Sequence, residues 1–364
     1  FYGQSIPGDG TLSIANLRLL NADQALADYA RFIVNLKQQL NAPDSPVITF
    51  GGSYSGSLSA WMRQKYPSAI FAAIASSSPV FAKMDFTEYL EVVTNSVGPE
   101  CAAAIGKAIA RVDTLLDTAA GKKVLEKEYM TCTPIGNNKY DPAAFMDSLT
   151  GAVSGVVQYS GDNNRLGKYD INRMCKIILS GDPYETLPQF VMDNNAFNGN
   201  NCTSASYDAE VADLRNTDPN APGASGRSWY WQTCVEYGYY QSDENSALPF
   251  SKRTSLDYML QMCSDAYGIQ NPAVTVAKSV DNTNSYYGGR NIASSRIVLL
   301  NGSVDPWHAL GVTITTSDLM PAFLIEGTAH CADLYASRSE DLPALTVARQ
   351  ASFQYIKQWL ADQN

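Results

Sequence analysis

The stretch Pro46-Val47-Ile48-Thr49-Phe50-Gly51-Gly52-Ser53-Tyr54-Ser55-Gly56 limits the possible folds more than any other part of the chain. Val47 to Phe50 is short, apolar and β-prone, the pattern of a buried strand. Small residues follow at once, and then Leu58, Trp61, Met62 and Lys65 recur at helical spacing up to Tyr66. Strand, tight turn and helix together form the setting of a nucleophile elbow. Its turn is so sharp that only small neighbours fit, and it lifts a serine hydroxyl above the sheet edge. Ser53 sits at the apex, and the N–H of Tyr54 would face an oxyanion from the start of a helix. One position departs from the G-x-S-x-G pattern: Ser55 stands where glycine is expected, with Gly56 one later. Alone, the stretch also reads as an ordinary strand–helix turn.

The flanking sequence supports a parallel sheet. Asn21 to Leu40 reads as a helix capped by Asn21, with Ala25, Leu26, Tyr29, Phe32, Ile33 and Leu36 as its apolar stripe. Ile70 to Ala75 is a second buried strand. From about Lys83 to residue 285 the alternation gives way to helical patterns, loops and cysteines. Asp113–Met130 and Leu256–Tyr267 read as helices there, and residues 194–227 as loop. Alternation then returns, with strands at Arg296–Leu300 and Pro321–Ile325 and a closing helix at Leu342–Leu360.

Each late strand is followed by a loop with chemical potential. Asp305 lies in Asn301-Gly302-Ser303-Val304-Asp305-Pro306-Trp307-His308, and His330 in Glu326-Gly327-Thr328-Ala329-His330-Cys331-Ala332-Asp333. Serine, acid, histidine, each after a strand, is the triad order of an α/β-hydrolase. Loops at the carboxyl ends of parallel strands open on one side, so the three can converge. The fold class expected is therefore α/β: an α/β-hydrolase domain of residues 1–82 and 286–364, with a large, mainly helical cap at 83–285. Ser53 would be the nucleophile, His330 its base and Asp305 the group that orients the imidazole. The chain has two histidines, and His308, three residues from Asp305, reads as a pocket-wall or surface residue. Asp333 lies too near His330 in sequence to be the usual orienting acid and is expected to hold the loop.

Composition narrows the partners. A net charge of −10 argues against nucleic acid, whose phosphates would be repelled. No apolar run approaches the roughly 18 residues that span a membrane. None of the seven cysteines forms a C-x-x-C pair, and with two histidines neither a zinc site nor any other metal or cofactor is expected. Cys101, Cys132, Cys175, Cys202, Cys234 and Cys263 fit three disulfides of open pairing in an oxidising compartment, leaving Cys331 as the odd thiol. Glycosylation sequons occur at Asn201, in a polar loop, and at Asn301, at a strand end where burial would shield it.

Several motifs carry a family resemblance. Phe1-Tyr2-Gly3-Gln4-Ser5, Gln24-Ala25-Leu26-Ala27-Asp28, Gly51 to Gly56, Ala60-Trp61, Lys65-Tyr66-Pro67, Ala75 to Val80, Asn301-Gly302, Asp305-Pro306-Trp307 and His330 to Leu334 resemble the serine peptidase family of lysosomal Pro-Xaa carboxypeptidase, dipeptidyl peptidase II and thymus-specific serine protease. Trp229 to Cys234, with Glu236, looks most like the thymus-specific branch. The resemblance implies hydrolysis of peptides after proline, often at acidic pH, in a secreted or lysosomal setting, and a homodimer would fit it. It places the triad on Ser53, Asp305 and His330, and an aromatic wall of the proline pocket on Trp307. Ser57 and Leu334 stand where a bulky apolar residue and an aromatic are expected, so a wider pocket is implied. Gly3, in the Tyr2-Gly3 loop, would supply the second oxyanion donor. Glu236 would bind a substrate amine, with an ordinary salt bridge as the alternative. Family members carry further residues, including early strands, before the Phe-Tyr-Gly stretch. The expectation is thus a sheet with one raw edge, its early strands supplied by another polypeptide or a cleaved fragment, or omitted from this sequence. Two other readings fit the same residues: an esterase with this triad, and a non-catalytic binding protein that kept the fold.

Overall fold

Six strands occur in the computed structural model, which describes residues 2–244 and 247–362 and leaves Phe1 outside. They are β1 (Ile48–Gly52), β2 (Ala72–Ser76), β3 (Lys83–Asp85), β4 (Gly238–Tyr240), β5 (Ile297–Gly302) and β6 (Ala322–Ile325). β1, β2, β5 and β6 lie side by side in that order, all parallel; β3 and β4 form a separate parallel pair. Every residue of β2 and β5 is buried, as expected of central parallel strands covered on both faces. Ile74, Val298 and Leu300 pack with Leu345, Ile356 and Trp359 of the closing helix, Pro343–Ala361. Ala73, Ile297 and Leu299 on the same strands join a second cluster with Ala60, Val312 and Met320. The largest cluster runs from Leu26 and Trp61 into the long helical stretch between β2 and β5, reaching Phe145, Leu187 and Tyr258. The fold is thus α/β with a parallel sheet and mainly helical content.

The sheet strands fall within two residues of their expected places, because apolar runs bounded by turns mark them well. The helical stretch departs more. Asp113–Met130 is not one helix: Pro99–Leu116 stops, and Ala119–Glu128 starts with the Thr118 hydroxyl accepting from Gly121 N–H. A side chain at Gly121 would lie 2.2 Å from the Leu115 carbonyl, so the break needs glycine there. Residues 194–227 hold the end of Pro183–Asn198, the helix Tyr207–Arg215 and the start of Ala224–Gln232. The stripe of the first long helix, Ala22–Gln39, is also shifted. Ala22, Leu26, Ala30 and Ile33 are buried, whereas Tyr29, Phe32 and Leu36 are exposed. β1 is the terminal strand on that side of the sheet, and its Phe50 is 55% exposed.

Six cysteines form three disulfides, Cys101–Cys175, Cys132–Cys202 and Cys234–Cys263, and Cys331 is a half-buried free thiol. No helix among the described residues is long and apolar enough to cross a membrane. No group of three or more acidic, histidine or cysteine side chains among them is arranged to hold a metal ion.

Candidate active site

Ser53 follows β1 directly and opens the helix Tyr54–Lys65. Its backbone has φ 60° and ψ −132°, a region that side-chain-bearing residues avoid and that costs roughly 1–3 kcal/mol. Neighbouring glycines make the turn possible. A Cβ on Gly51 would sit 2.0 Å from the Ser55 carbonyl oxygen, and one on Gly56 would sit 2.6 Å from that of Ser76. Ser55 itself is exposed, which explains why serine is tolerated where the elbow pattern asks for glycine. The Ser53 hydroxyl makes no capping bond to its own helix, and the Tyr54 N–H has no backbone acceptor among the described residues. An unpaired N–H at a helix start is suited to hold a developing anion.

Asp305 and His330 meet in the interior. Asp305 is fully buried and His330 is 3% exposed, with His330 Nδ1 2.9 Å from Asp305 Oδ1. The same oxygen accepts from the Trp307 N–H at 3.0 Å, capping the 3-10 turn Pro306–Leu310 and fixing the carboxylate. With Nδ1–H donated to the acid, Nε2 is the nitrogen left to take a proton. Burial pushes the His330 pKa down, but the charge and hydrogen bond of Asp305 outweigh it and hold the imidazole well above its usual range. His308 is placed differently: its Nδ1 lies 2.7 Å from the Asp305 main-chain oxygen, away from the carboxylate.

The histidine loop is docked against the elbow. The Cys331 N–H donates to Ser77 Oγ at 2.8 Å, and Asp333 accepts from Ser76 Oγ. Burial raises the Asp333 carboxyl to about 6. A Cβ on Gly52 would collide with Cys331 Sγ at 2.9 Å and Leu334 Cδ1 at 2.8 Å. The residue before the serine and the residue after the histidine are therefore in contact.

The expected pocket residues have varied placements. Trp307 is 8% exposed and sits inside an aromatic cluster, with ring centroids 5.5 Å from Phe86, 5.7 Å from Tyr89, 5.4 Å from Tyr239 and 6.4 Å from His330. Ser57 is buried with its hydroxyl unpaired, and Leu334 is exposed against Gly52. Gly3 is exposed and lines a groove of about 960 Å³ together with Tyr54 and Leu58. Both oxygens of Glu236 are already engaged. One accepts from the Ala22 N–H at 2.8 Å and the other from Gln232 Nε2 at 2.7 Å, an amide that also reaches Tyr54 Oη at 2.9 Å. Neither the expected substrate amine nor a salt bridge is needed to explain this carboxylate, which burial raises to about 7. Asn201 is exposed, whereas Asn301 is buried and donates to the Val312 carbonyl.

Sequence reasoning missed the contribution of the helical stretch. Gln158, at the end of the helix Asp141–Gln158, accepts from the His330 N–H through its carbonyl at 2.9 Å. Its side chain accepts from Tyr89 Oη at 2.6 Å and Trp307 Nε1 at 3.0 Å. Tyr159 meets the His330 ring edge to face at 5.9 Å. No local pattern announces a helix-terminal glutamine as part of a site; only the tertiary contacts do.

The family described as serine carboxypeptidase S28 matches residues 1–352 of the chain. Thymus-specific serine protease of Homo sapiens is 38% identical, over 99% of this chain and 72% of its own length. The Mus musculus protein of the same name is 37% identical, over 100% and 73%. Lysosomal Pro-X carboxypeptidase of Bos taurus is 29% identical, again over 100% and 73%.

Proposed function

The chain belongs to the serine carboxypeptidase S28 family and is a serine-type peptidase, and on that premise we propose that it cleaves peptide bonds through an acyl-enzyme on Ser53. The observation that carries this reading is the buried 2.9 Å hydrogen bond between His330 and Asp305, on a loop packed against the strained serine turn. In the proposed cycle Ser53 Oγ attacks the scissile carbonyl while His330 Nε2 takes the hydroxyl proton. The carbonyl oxygen, now an anion, is held by the Tyr54 N–H, with Gly3 as the second donor. His330 returns the proton to the departing amine, the C–N bond breaks, and an ester to Ser53 remains. Water, deprotonated by His330, then attacks that ester, and Ser53 is regenerated. Asp305 holds the imidazole in its tautomer and stabilises the imidazolium.

Cleavage after proline is supported by the bovine relative's name and by the aromatic cluster around Trp307, with Ser57 and Leu334 leaving a wider pocket. We take residues 83–285 as a cap over the sheet domain of 1–82 and 286–364. The terminal place of β1 in the sheet and its exposed Phe50, together with the exposed Tyr29 and Phe32 of the first long helix, support a further strand or fragment pairing with β1. Three disulfides fit an oxidising compartment, and a secreted or lysosomal location with glycan on Asn201 is our proposal; a homodimer fits the same family. A fluorophosphonate should label Ser53 covalently, with no label on Ser53→Ala. Absence of label on the folded wild-type protein would end this reading.

A further inference from the structure

The side-chain amide of Gln158 has one arm fully used and the other free. Its Oε1 accepts two hydrogen bonds, from Tyr89 and from Trp307. An indole N–H only donates, so the atom it meets is the oxygen and the amide cannot be turned over. Nε2 is therefore fixed on the remaining arm. It has no hydrogen-bond partner among the described residues, yet it is not sealed from solvent, and the residue is half-buried. The main chain at the same position holds the His330 N–H at 2.9 Å, and the next ring, Tyr159, packs on the imidazole. An oriented, unused donor thus belongs to a residue that touches the main chain of the base on one side and Trp307 on the other.

We propose that Gln158 is a substrate-binding residue whose Nε2 donates to a main-chain carbonyl of the bound peptide. The proposal rests on the Ser53-Asp305-His330 reading and says where the substrate chain runs: along the end of the helix Asp141–Gln158. A neutral amide suits a neutral carbonyl, because neither partner brings a charge that must be stripped of water. It also keeps its donor at every pH, unlike a histidine. Because Tyr89 and Trp307 already fix the amide, little freedom is lost when the peptide arrives.

The test compares wild type with Gln158→Glu, which keeps an oxygen for Tyr89 and Trp307 but replaces the free donor with an acceptor. Substrates are a parent peptide and a series in which one non-scissile amide at a time is replaced by an alkene isostere that lacks the carbonyl. The parent peptide should lose about tenfold in kcat/KM on Gln158→Glu. In wild type one isostere should cost about tenfold more than the others, and in the variant that extra cost should vanish. Gln158→Met, which lacks both arms of the amide, should abolish the same position-specific cost and serves if the glutamate variant does not fold. Equal kcat/KM for wild type and Gln158→Glu, or the same isostere pattern in all three enzymes, overturns the proposal. Failure of the underlying triad would show separately, as absence of fluorophosphonate label on wild-type Ser53.

Discussion

Ser53, Asp305 and His330 each stand just after a strand of the parallel sheet, whereas Tyr89, Gln158, Tyr159 and Tyr239 come from helices and a short strand between β2 and β5. Asp305, Tyr159 and Trp307 meet the His330 imidazole, and Tyr89, Gln158 and Tyr239 surround Trp307. In the first set, position follows from local rules: a strand ends, a tight turn follows, and the side chain points off the sheet edge. In the second, position follows from packing between distant helices, and the residues are ordinary for where they sit in sequence. The comparison teaches that the proposed reacting groups are fixed by the sheet, and their surroundings by the helices.

The sharpest way to break this comparison is to remove the groups on the sheet loops. His330→Ala should lower kcat by roughly 10⁶, since triad members act as a unit, and His308→Ala should cost little. Equal losses for the two would assign the base wrongly. Asp305→Asn should cost about 10⁴ in kcat. It also removes the charge that holds a proton on His330. The limb of the pH–rate profile set by imidazole deprotonation should then move to lower pH, and a move upward would contradict the assignment.

Next in size is the turn. Gly56→Ala places a methyl against the Ser76 carbonyl and must displace the elbow; a shift of about 1 Å in the nucleophile costs on the order of 100-fold. Ser55→Gly, at the exposed position, should change kcat/KM by a small factor. Similar effects at both sites would show that the turn does not depend on close backbone packing.

The helical stretch should respond in stability more than in rate. Replacing Cys101 and Cys175 with alanine opens a link 74 residues apart in sequence and should cost roughly 2–4 kcal/mol in urea unfolding. Peptide turnover by the folded fraction should persist, because neither cysteine touches the triad.

The smallest effect concerns pH. Burial raises Asp162 to about 8, against the nearby His330, and raises Glu236 to about 7 and Asp333 to about 6. Each binds its proton more tightly folded than unfolded. Their stabilisation is complete below about pH 4 and is lost as pH rises through 6 to 8. His330, also raised, acts in the same direction. The melting temperature should therefore be higher at pH 5 than at pH 8, and the reverse order would refute these assignments. Such a profile would suit an acidic compartment.

What the sequence made legible divides along the same line. Val47–Phe50, Ile70–Ala75 and Arg296–Leu300 stood out because apolar, β-prone runs bounded by turns leave few alternatives. The pairing of Asp305 with His330 is legible in the same way, since each follows one of two neighbouring parallel strands. The break at Thr118 was hidden because its residues are individually compatible with a helix, and a cap beats continuation only once Leu115 is packed. The first long helix looked like one wide stripe because pattern cannot tell which half of an apolar face meets the core. Glu236 reads in sequence as an amine binder or a salt-bridge partner because its actual partners, Ala22 and Gln232, become neighbours only when the chain folds back on itself.

All three sulfur bridges join helices or loops of the stretch between β2 and β5 to one another, and none reaches the strands. The line along which Gln158 meets the histidine loop is therefore closed without any covalent tie. On the proposed path, a peptide entering there or a fragment departing would part only weak and reversible contacts, while the sulfur bridges keep the helical wall itself from coming apart.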